Sequence, residues 1–222
     1  MTAQRLIIIR HAESLEDIDN NAYEFLTDEE MPLSEAGKVQ STNLSTELRS
    51  IIGEYAPIHF YLAPCLRVTE TARIVSDAMR NPNCTYSIEE MLKKQDWGPI
   101  TMDNRKQIER ERYEAGVLRY AFRSGESGPE FIARYERFLN NVKRTLSHES
   151  CPENIAIISH GFEIRVLLMI LLGWDEDYFE TLAYPNNCEF KRLDIQPDGS
   201  FALIDQMRLH NLSGSPNFIP RK

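Results

Sequence analysis

Two short apolar runs end abruptly in polar residues. Arg5 to Ile9 gives way to Arg10-His11, and Ile155 to Ile158 gives way to Ser159-His160-Gly161. Runs of this length, rich in β-branched residues and bounded by polar ones, predict buried strands. Ile58 to Leu62, just before Ala63-Pro64, predicts a third strand and Thr85 to Ile88 a fourth. Between them the apolar spacing becomes helical. Ser34 is placed to cap a helix running to about Arg49, with Leu44, Leu48 and Ile51 at helical spacing. Arg67 to Met79 predicts a second helix, stopped by Asn81-Pro82. Ser127-Gly128-Pro129-Glu130 has the form of a capping box, and behind it Phe131, Tyr135, Phe138, Leu139, Val142 and Leu146 trace one face. That stripe is a core face. Val166 to Leu172 is apolar nearly all round, as burial against a sheet requires. Glu189 to Ile195 and Phe201 to Met207 flank Gln196-Pro197-Asp198-Gly199-Ser200 and predict a hairpin. Alternating strands and helices place the chain in the α/β class.

Composition narrows the possibilities. With 222 residues, 42% of them hydrophobic, the chain can build one sizeable core, and without repeat or linker it is expected to be one domain over residues 1–222. The apolar run at Leu6 to Ile9 is too short for the core of a secretion signal, so a cytoplasmic protein is expected. The longest apolar run, Val166 to Leu172, falls far short of the roughly 20 residues that span a bilayer, so no membrane partner is expected. Cys65, Cys84, Cys151 and Cys188 are scattered, which indicates neither a disulfide framework nor a zinc site and fits reduced thiols. A formal charge of −9 argues against a nucleic-acid surface. Any anionic ligand would need a local basic pocket. The acidic stretch Asp17 to Glu30 lacks calcium-loop spacing and is expected to be a solvated loop. Nothing in the pattern speaks to oligomeric state.

In an open α/β sheet, ligands bind beyond the carboxyl ends of the strands. Three predicted strand ends present Arg10 with His11, Arg67 shortly after Pro64, and His160 with Gly161. Phosphoryl transfer needs an in-line nucleophile and positive or N–H groups around three equatorial oxygens. A neutral His11 is able to attack phosphorus, Arg10 and Arg67 to grip phosphate bidentately, and a protonated His160 to stabilise charge. Gly161 at a helix start would bring a backbone N–H close to an anion. Taken singly, each residue fits an ordinary structural role. The joint pattern, Arg-His after one strand and His-Gly after a much later one, bracketing Pro-x-x-Arg, favours a site.

That pattern resembles the histidine phosphatase superfamily, also called phosphoglycerate-mutase-like. The residues that carry the resemblance are Arg10-His11-Ala12-Glu13-Ser14, Ala63-Pro64-Cys65-Leu66-Arg67 with Thr71-Ala72, Gly125-Glu126-Ser127 and Ser159-His160-Gly161. Gln95-Asp96-Trp97-Gly98 and Asn186-Asn187-Cys188-Glu189-Phe190 look closest to the eukaryotic broad-range acid phosphatases of that superfamily. The resemblance implies a three-layer α/β/α fold with helices on both faces of a mainly parallel sheet. It also implies a phosphohistidine at His11 in a pocket of Arg10, Arg67 and His160, a small phosphorylated substrate, and neither metal nor cofactor.

Three positions depart from the family pattern. Ala12 replaces a common glycine. Asp17 stands where many members place a phosphate-contacting asparagine, and an ionised carboxylate cannot donate a hydrogen bond. Lys94 stands four residues before Gly98, where the family places its proton-donating glutamate. Either Lys94 points into the pocket and pairs with Asp17, or a neighbouring carboxylate, Glu126 ahead of Asp96, supplies the proton, or catalysis is largely lost. Glu126 is equally explained as a carboxylate favoured by the start of a helix. Asn186 is a further pocket candidate. The segment at about 99–126, rich in Arg105, Arg110, Arg112 and Tyr113, is either a lid-like insertion over the site or an ordinary solvated helix. The expected activity is phosphomonoester hydrolysis. The alternatives are an impaired member that binds a phosphorylated ligand or partner and, third, a phosphoglycerate mutase.

Overall fold

A computed structural model of the chain describes residues 5–99, 101–148 and 151–210. Its elements, in chain order, are β1 (Arg5–Arg10), α1 (Leu15–Ile18), α2 (Glu35–Ile52), β2 (Ile58–Leu62), α3 (Leu66–Met79), β3 (Cys84–Ile88), α4 (Met102–Ala115), α5 (Gly128–Leu146), β4 (Asn154–Ser159), α6 (Gly161–Leu172), α7 (Glu176–Thr181), β5 (Phe190–Ile195) and β6 (Phe201–Leu203). The six strands form one sheet in the order β3-β2-β4-β1-β5-β6. Strands β1 to β4 run parallel, and β5 pairs antiparallel with both β1 and β6. The α/β expectation is met, with an antiparallel edge.

The order explains where the helices go. From β1 the chain steps over β4 to β2 and on to β3, then reverses to reach β4. Right-handed crossovers in opposite directions place their helices on opposite faces. Accordingly α2 packs on α3, and α5 packs on α6. β1 and β4 are covered on both sides, so Leu6 to Ile9 and Ile155 to Ile158 are completely buried. The predicted caps close the helices. Ser34 Oγ accepts from the Gly37 N–H at 2.9 Å, and Ser127 and Glu130 form the capping box of α5. No helix among the described residues is long and apolar enough to cross a membrane.

Two differences from the sequence expectation have local causes. Asp17 to Glu30 is ordered, in the end of α1 and a 3-10 turn at Asn20–Glu24 that Asp19 caps through Asn21. The second hairpin strand stops at Leu203 because the Asp205 carboxylate takes over the ladder, accepting from the Arg192 backbone N–H at 2.8 Å and from its guanidinium at 2.9 and 2.6 Å.

Ile157 lies at the centre of β4 with no exposed surface. Ile157→Ala should therefore destabilise the protein by about 2–5 kcal/mol in chemical denaturation. Val39→Ala, at a position on α2 that is 61% exposed, should change stability by no more than about 0.5 kcal/mol. Equal effects would contradict this placement of the core.

Candidate active site

Adjacent parallel strands bring the two histidines together. β1 and β4 pair with Arg10 opposite Ser159, and the His11 N–H donates to the Ser159 carbonyl at 3.0 Å, extending the ladder one residue past the strand. His11 and His160 thus leave neighbouring strand ends, with ring centroids 5.0 Å apart at 66°. This is also where the chain directions diverge, the usual ligand position in an open α/β sheet.

The hydrogen bonds determine which ring nitrogens carry protons. His11 Nδ1 lies 2.7 Å from the Ala12 carbonyl, which can only accept, so Nδ1 carries the hydrogen and Nε2 keeps its lone pair. Burial, with the Arg67 and Arg10 charges, holds its pKa down to about 3, so the ring is neutral at physiological pH. Arg67 Nη2, which can only donate, lies 3.3 Å from His160 Nδ1, leaving the hydrogen on Nε2. Burial and then Arg67 depress the His160 pKa well below its ordinary value. The expectation of a protonated His160 is corrected: it is a neutral N–H donor whose Nε2 lies 3.6 Å from Cys65 Sγ.

The guanidiniums are anchored differently. Arg67, in the first turn of α3, is completely buried. Arg10 Nη1 donates to the Pro185 carbonyl at 2.8 Å and Nη2 to Asp17 Oδ1 at 2.9 Å. Asp17 also accepts from the Ser14 N–H and hydroxyl at 2.8 and 2.9 Å. Burial works against its charge, but the hydrogen bonds from Ser14 and the nearby Arg10 charge outweigh it, so its pKa is lowered. Asp17 braces Arg10 and does not line the cleft above His11.

Asp28, Glu16 and Tyr23 belong to the site although the sequence did not single them out. Asp28 accepts from Arg67 Nη2 at 3.0 and 3.1 Å, from Lys94 Nζ at 2.8 Å and from the Tyr23 hydroxyl at 3.1 Å. Glu16 stands 3.7 Å from Lys94 and 3.8 Å from Arg67 and accepts from the Tyr23 hydroxyl. Burial opposes the Asp28 charge, yet Lys94 and Arg67 hold its carboxyl well below the usual range. Two corrections follow. Part of the acidic stretch folds into the pocket instead of being a solvated loop, and Lys94 pairs with Asp28 and Glu16, not with Asp17. No periodicity marks Asp28, because it reaches the pocket from a loop.

Glu126 and Asn186 are also corrected. Arg134 grips Glu126 at 2.8 and 2.6 Å while its Nη1 donates to the Met91 and Lys93 carbonyls at 2.6 and 3.0 Å. Glu126 therefore helps staple the segment that carries Lys94, and it faces a separate small hollow. Asp96 turns back to accept from the Gly98 N–H at 2.8 Å. The Asn186 N–H bonds Glu189, and it is Asn187 that donates to the His11 carbonyl, at 3.3 Å.

A cleft of about 1680 Å³ opens over His11, His160 and Gly161. A Cβ on Gly161 would stand 3.0 Å from the Tyr184 ring, so a glycine suits this close approach. The α4 segment has an outer face and a face in the cleft wall. Arg105 pairs with Glu109 at 3.0 Å on the outside, while Arg112 is buried against the Trp97 and Phe162 rings at 5.1 and 4.6 Å in the cleft wall. Glu163, in the first turn of α6, is a further buried carboxylate of this wall. Its place three residues after His160 was the available clue.

The profile described as "Histidine phosphatase superfamily (branch 1)" matches residues 6–205. "Phosphoglycerate mutase-like protein AT74H" of Arabidopsis thaliana is 30% identical over 217 residues, covering 90% of this chain and 77% of that protein. Among solved structures, the α-ribazole phosphatase of Shigella flexneri superposes with a TM-score of 0.68 at 22% identity, covering 90% of this chain and 95% of its own. A mycobacterial glucosyl-3-phosphoglycerate phosphatase superposes at 0.67 with 17% identity, covering 91% and 98%.

Two measurements check this geometry. The unfolded chain protonates its histidines below about pH 6.5, whereas His11 and His160 stay neutral in the fold, so the unfolded state binds more protons and stability falls as pH drops from about 6.5 towards 5. Each of the two should contribute up to about 1.4 kcal/mol per pH unit in denaturation experiments, and His11→Gln should remove one contribution. Separately, Asp28→Asn removes the negative charge that competes for Arg67 and Lys94 and should tighten inorganic phosphate binding severalfold by calorimetry. Weaker binding would refute the competition.

Proposed function

This chain belongs to branch 1 of the histidine phosphatase superfamily, and we propose that it is a phosphomonoesterase working through a phosphohistidine at His11, with its positive charge drawn from side chains. The observation that carries the reading is the His11 Nε2 lone pair set beside Arg67 and the His160 N–H donor. Nε2 attacks phosphorus as the bond to the leaving oxygen breaks. Arg10, Arg67 and the His160 N–H bear on the equatorial oxygens, where donors already in place cost no reorganisation during the reaction. Lys94 adds charge once an incoming phosphoryl group displaces Asp28. Water then hydrolyses the phosphohistidine, releasing inorganic phosphate and freeing His11.

Two structural neighbours named as phosphatases support hydrolysis as the outcome. The cleft is larger than the roughly 300–1,000 Å³ typical of small-molecule sites, which supports a phosphomonoester with a sizeable organic group. The Gln95-to-Gly98 and Asn186-to-Phe190 motifs keep the broad-range acid phosphatases as our finer assignment, in one cytoplasmic domain over residues 1–222 with residues 99–126 as its lid. A second reading, a protein that binds a phosphorylated ligand without turning it over, is favoured by Asp28 already lying on Arg67.

Turnover of 4-nitrophenyl phosphate, whose leaving group needs little protonation, separates the two. Wild type should exceed His11→Ala by several orders of magnitude and should trap a phosphohistidine on rapid quenching. Equal rates would sink the hydrolytic reading, and phosphate binding retained alongside them would favour the second.

A further inference from the structure

The hydrolytic reading leaves the leaving-group proton without a source, because Lys94 stands at the position where the resemblance implies a glutamate. Among the described residues, eight carboxylates line the cleft: Glu16, Asp28, Glu29, Asp96, Glu109, Glu114, Glu163 and Glu180. Several are committed elsewhere. Asp28 and Glu16 face Arg67 and Lys94, Glu29 pairs with Lys93, Glu109 with Arg105, and Asp96 caps a turn. Glu114 is exposed and Glu180 only half-buried. Glu163 differs on two counts. It is 97% buried, and among the described residues no cation stands within 4 Å of it.

Its position follows from the fold. His160 is the N-cap of α6 and Glu163 the third residue of that helix, so the strand end that aims His160 also sets where Glu163 begins. We propose that Glu163 protonates the leaving oxygen in place of residue 94, an assignment that rests on the phosphomonoesterase reading. As His11 Nε2 bonds to phosphorus and the ester P–O bond breaks, the Glu163 carboxyl gives its proton to the departing oxygen, releasing an alcohol. The resulting carboxylate takes a proton from the water that attacks the phosphohistidine, which restores neutral His11 and the Glu163 acid and yields inorganic phosphate.

The surroundings suit an acid. Burial, joined by the Asp28 charge, raises its pKa above the ordinary glutamate value, while Lys94 and Arg112 pull the other way. From α5, Arg134 and Tyr135 also face Glu163, and Arg134 is already neutralised by Glu126. Lys94 is likewise engaged by Asp28 and Glu16, while Arg112 donates to Gln95 Oε1 at 3.1 Å and lies over the Trp97 and Phe162 rings.

The test compares phosphohistidine formation from an alkyl phosphate and from 4-nitrophenyl phosphate by rapid quench, in wild type, Glu163→Gln and Glu163→Asp. A positioned general acid contributes roughly 10²–10⁴-fold, so Glu163→Gln should slow the alkyl ester by that factor and leave the nitrophenyl ester within a fewfold of wild type. Glu163→Asp, which keeps the acid, should recover part of the alkyl rate. A wild type active on both esters, with Glu163→Gln slowing both equally or neither, overturns the assignment of Glu163 alone. A wild type inert toward 4-nitrophenyl phosphate overturns the hydrolytic reading and this assignment together.

Discussion

The site depends on the parallel pairing of β1 with β4. Their paired residues, such as Arg5 and Asn154, are 149 positions apart in sequence, yet their register is locked by two runs of completely buried aliphatic side chains. A slip of one residue would turn every side chain to the opposite face, so the core enforces the register that places His11 against Ser159 and beside His160. The histidines leave the fully buried centre of the sheet, and the loops above it complete the cleft.

Burial at that junction sets the electrostatics. Two imidazoles beside a buried guanidinium cannot hold further protons, so both are neutral and their tautomers are dictated by the Ala12 carbonyl and by Arg67. One ring presents a lone pair and the other an N–H. That asymmetry arises from two ordinary hydrogen bonds and gives a pair of identical residues opposite hydrogen-bonding character. A dianionic phosphoryl group arriving between them would shift both towards protonation, since an adjacent negative charge favours the charged form.

Charge exchange around residue 94 is the other organising feature. A lysine there draws Asp28 and Glu16 inward, and Tyr23 ties the two carboxylates together. The pocket thereby carries its own counterions in a chain of net charge −9. Meanwhile Glu126, sequestered by Arg134, serves to hold the segment on which Lys94 rides.

By itself the sequence determined the element pattern, the α/β class and the strand ends that carry His11 and His160, because strands such as Leu6–Ile9, helix stripes such as Phe131–Val142 and the polar pairs that end β1 and β4 are all local signals set by period and composition. The order of the strands, the neutral state of His160, the pairing of Lys94 and the diversion of Glu126 and Asn186 were decided only in three dimensions. Each depends on which charged groups meet across tens or hundreds of residues, and on how completely water is excluded there. Asp28 is the clearest case: one acidic residue among many in a polar stretch, it gains a role only because the fold lays that stretch over Arg67.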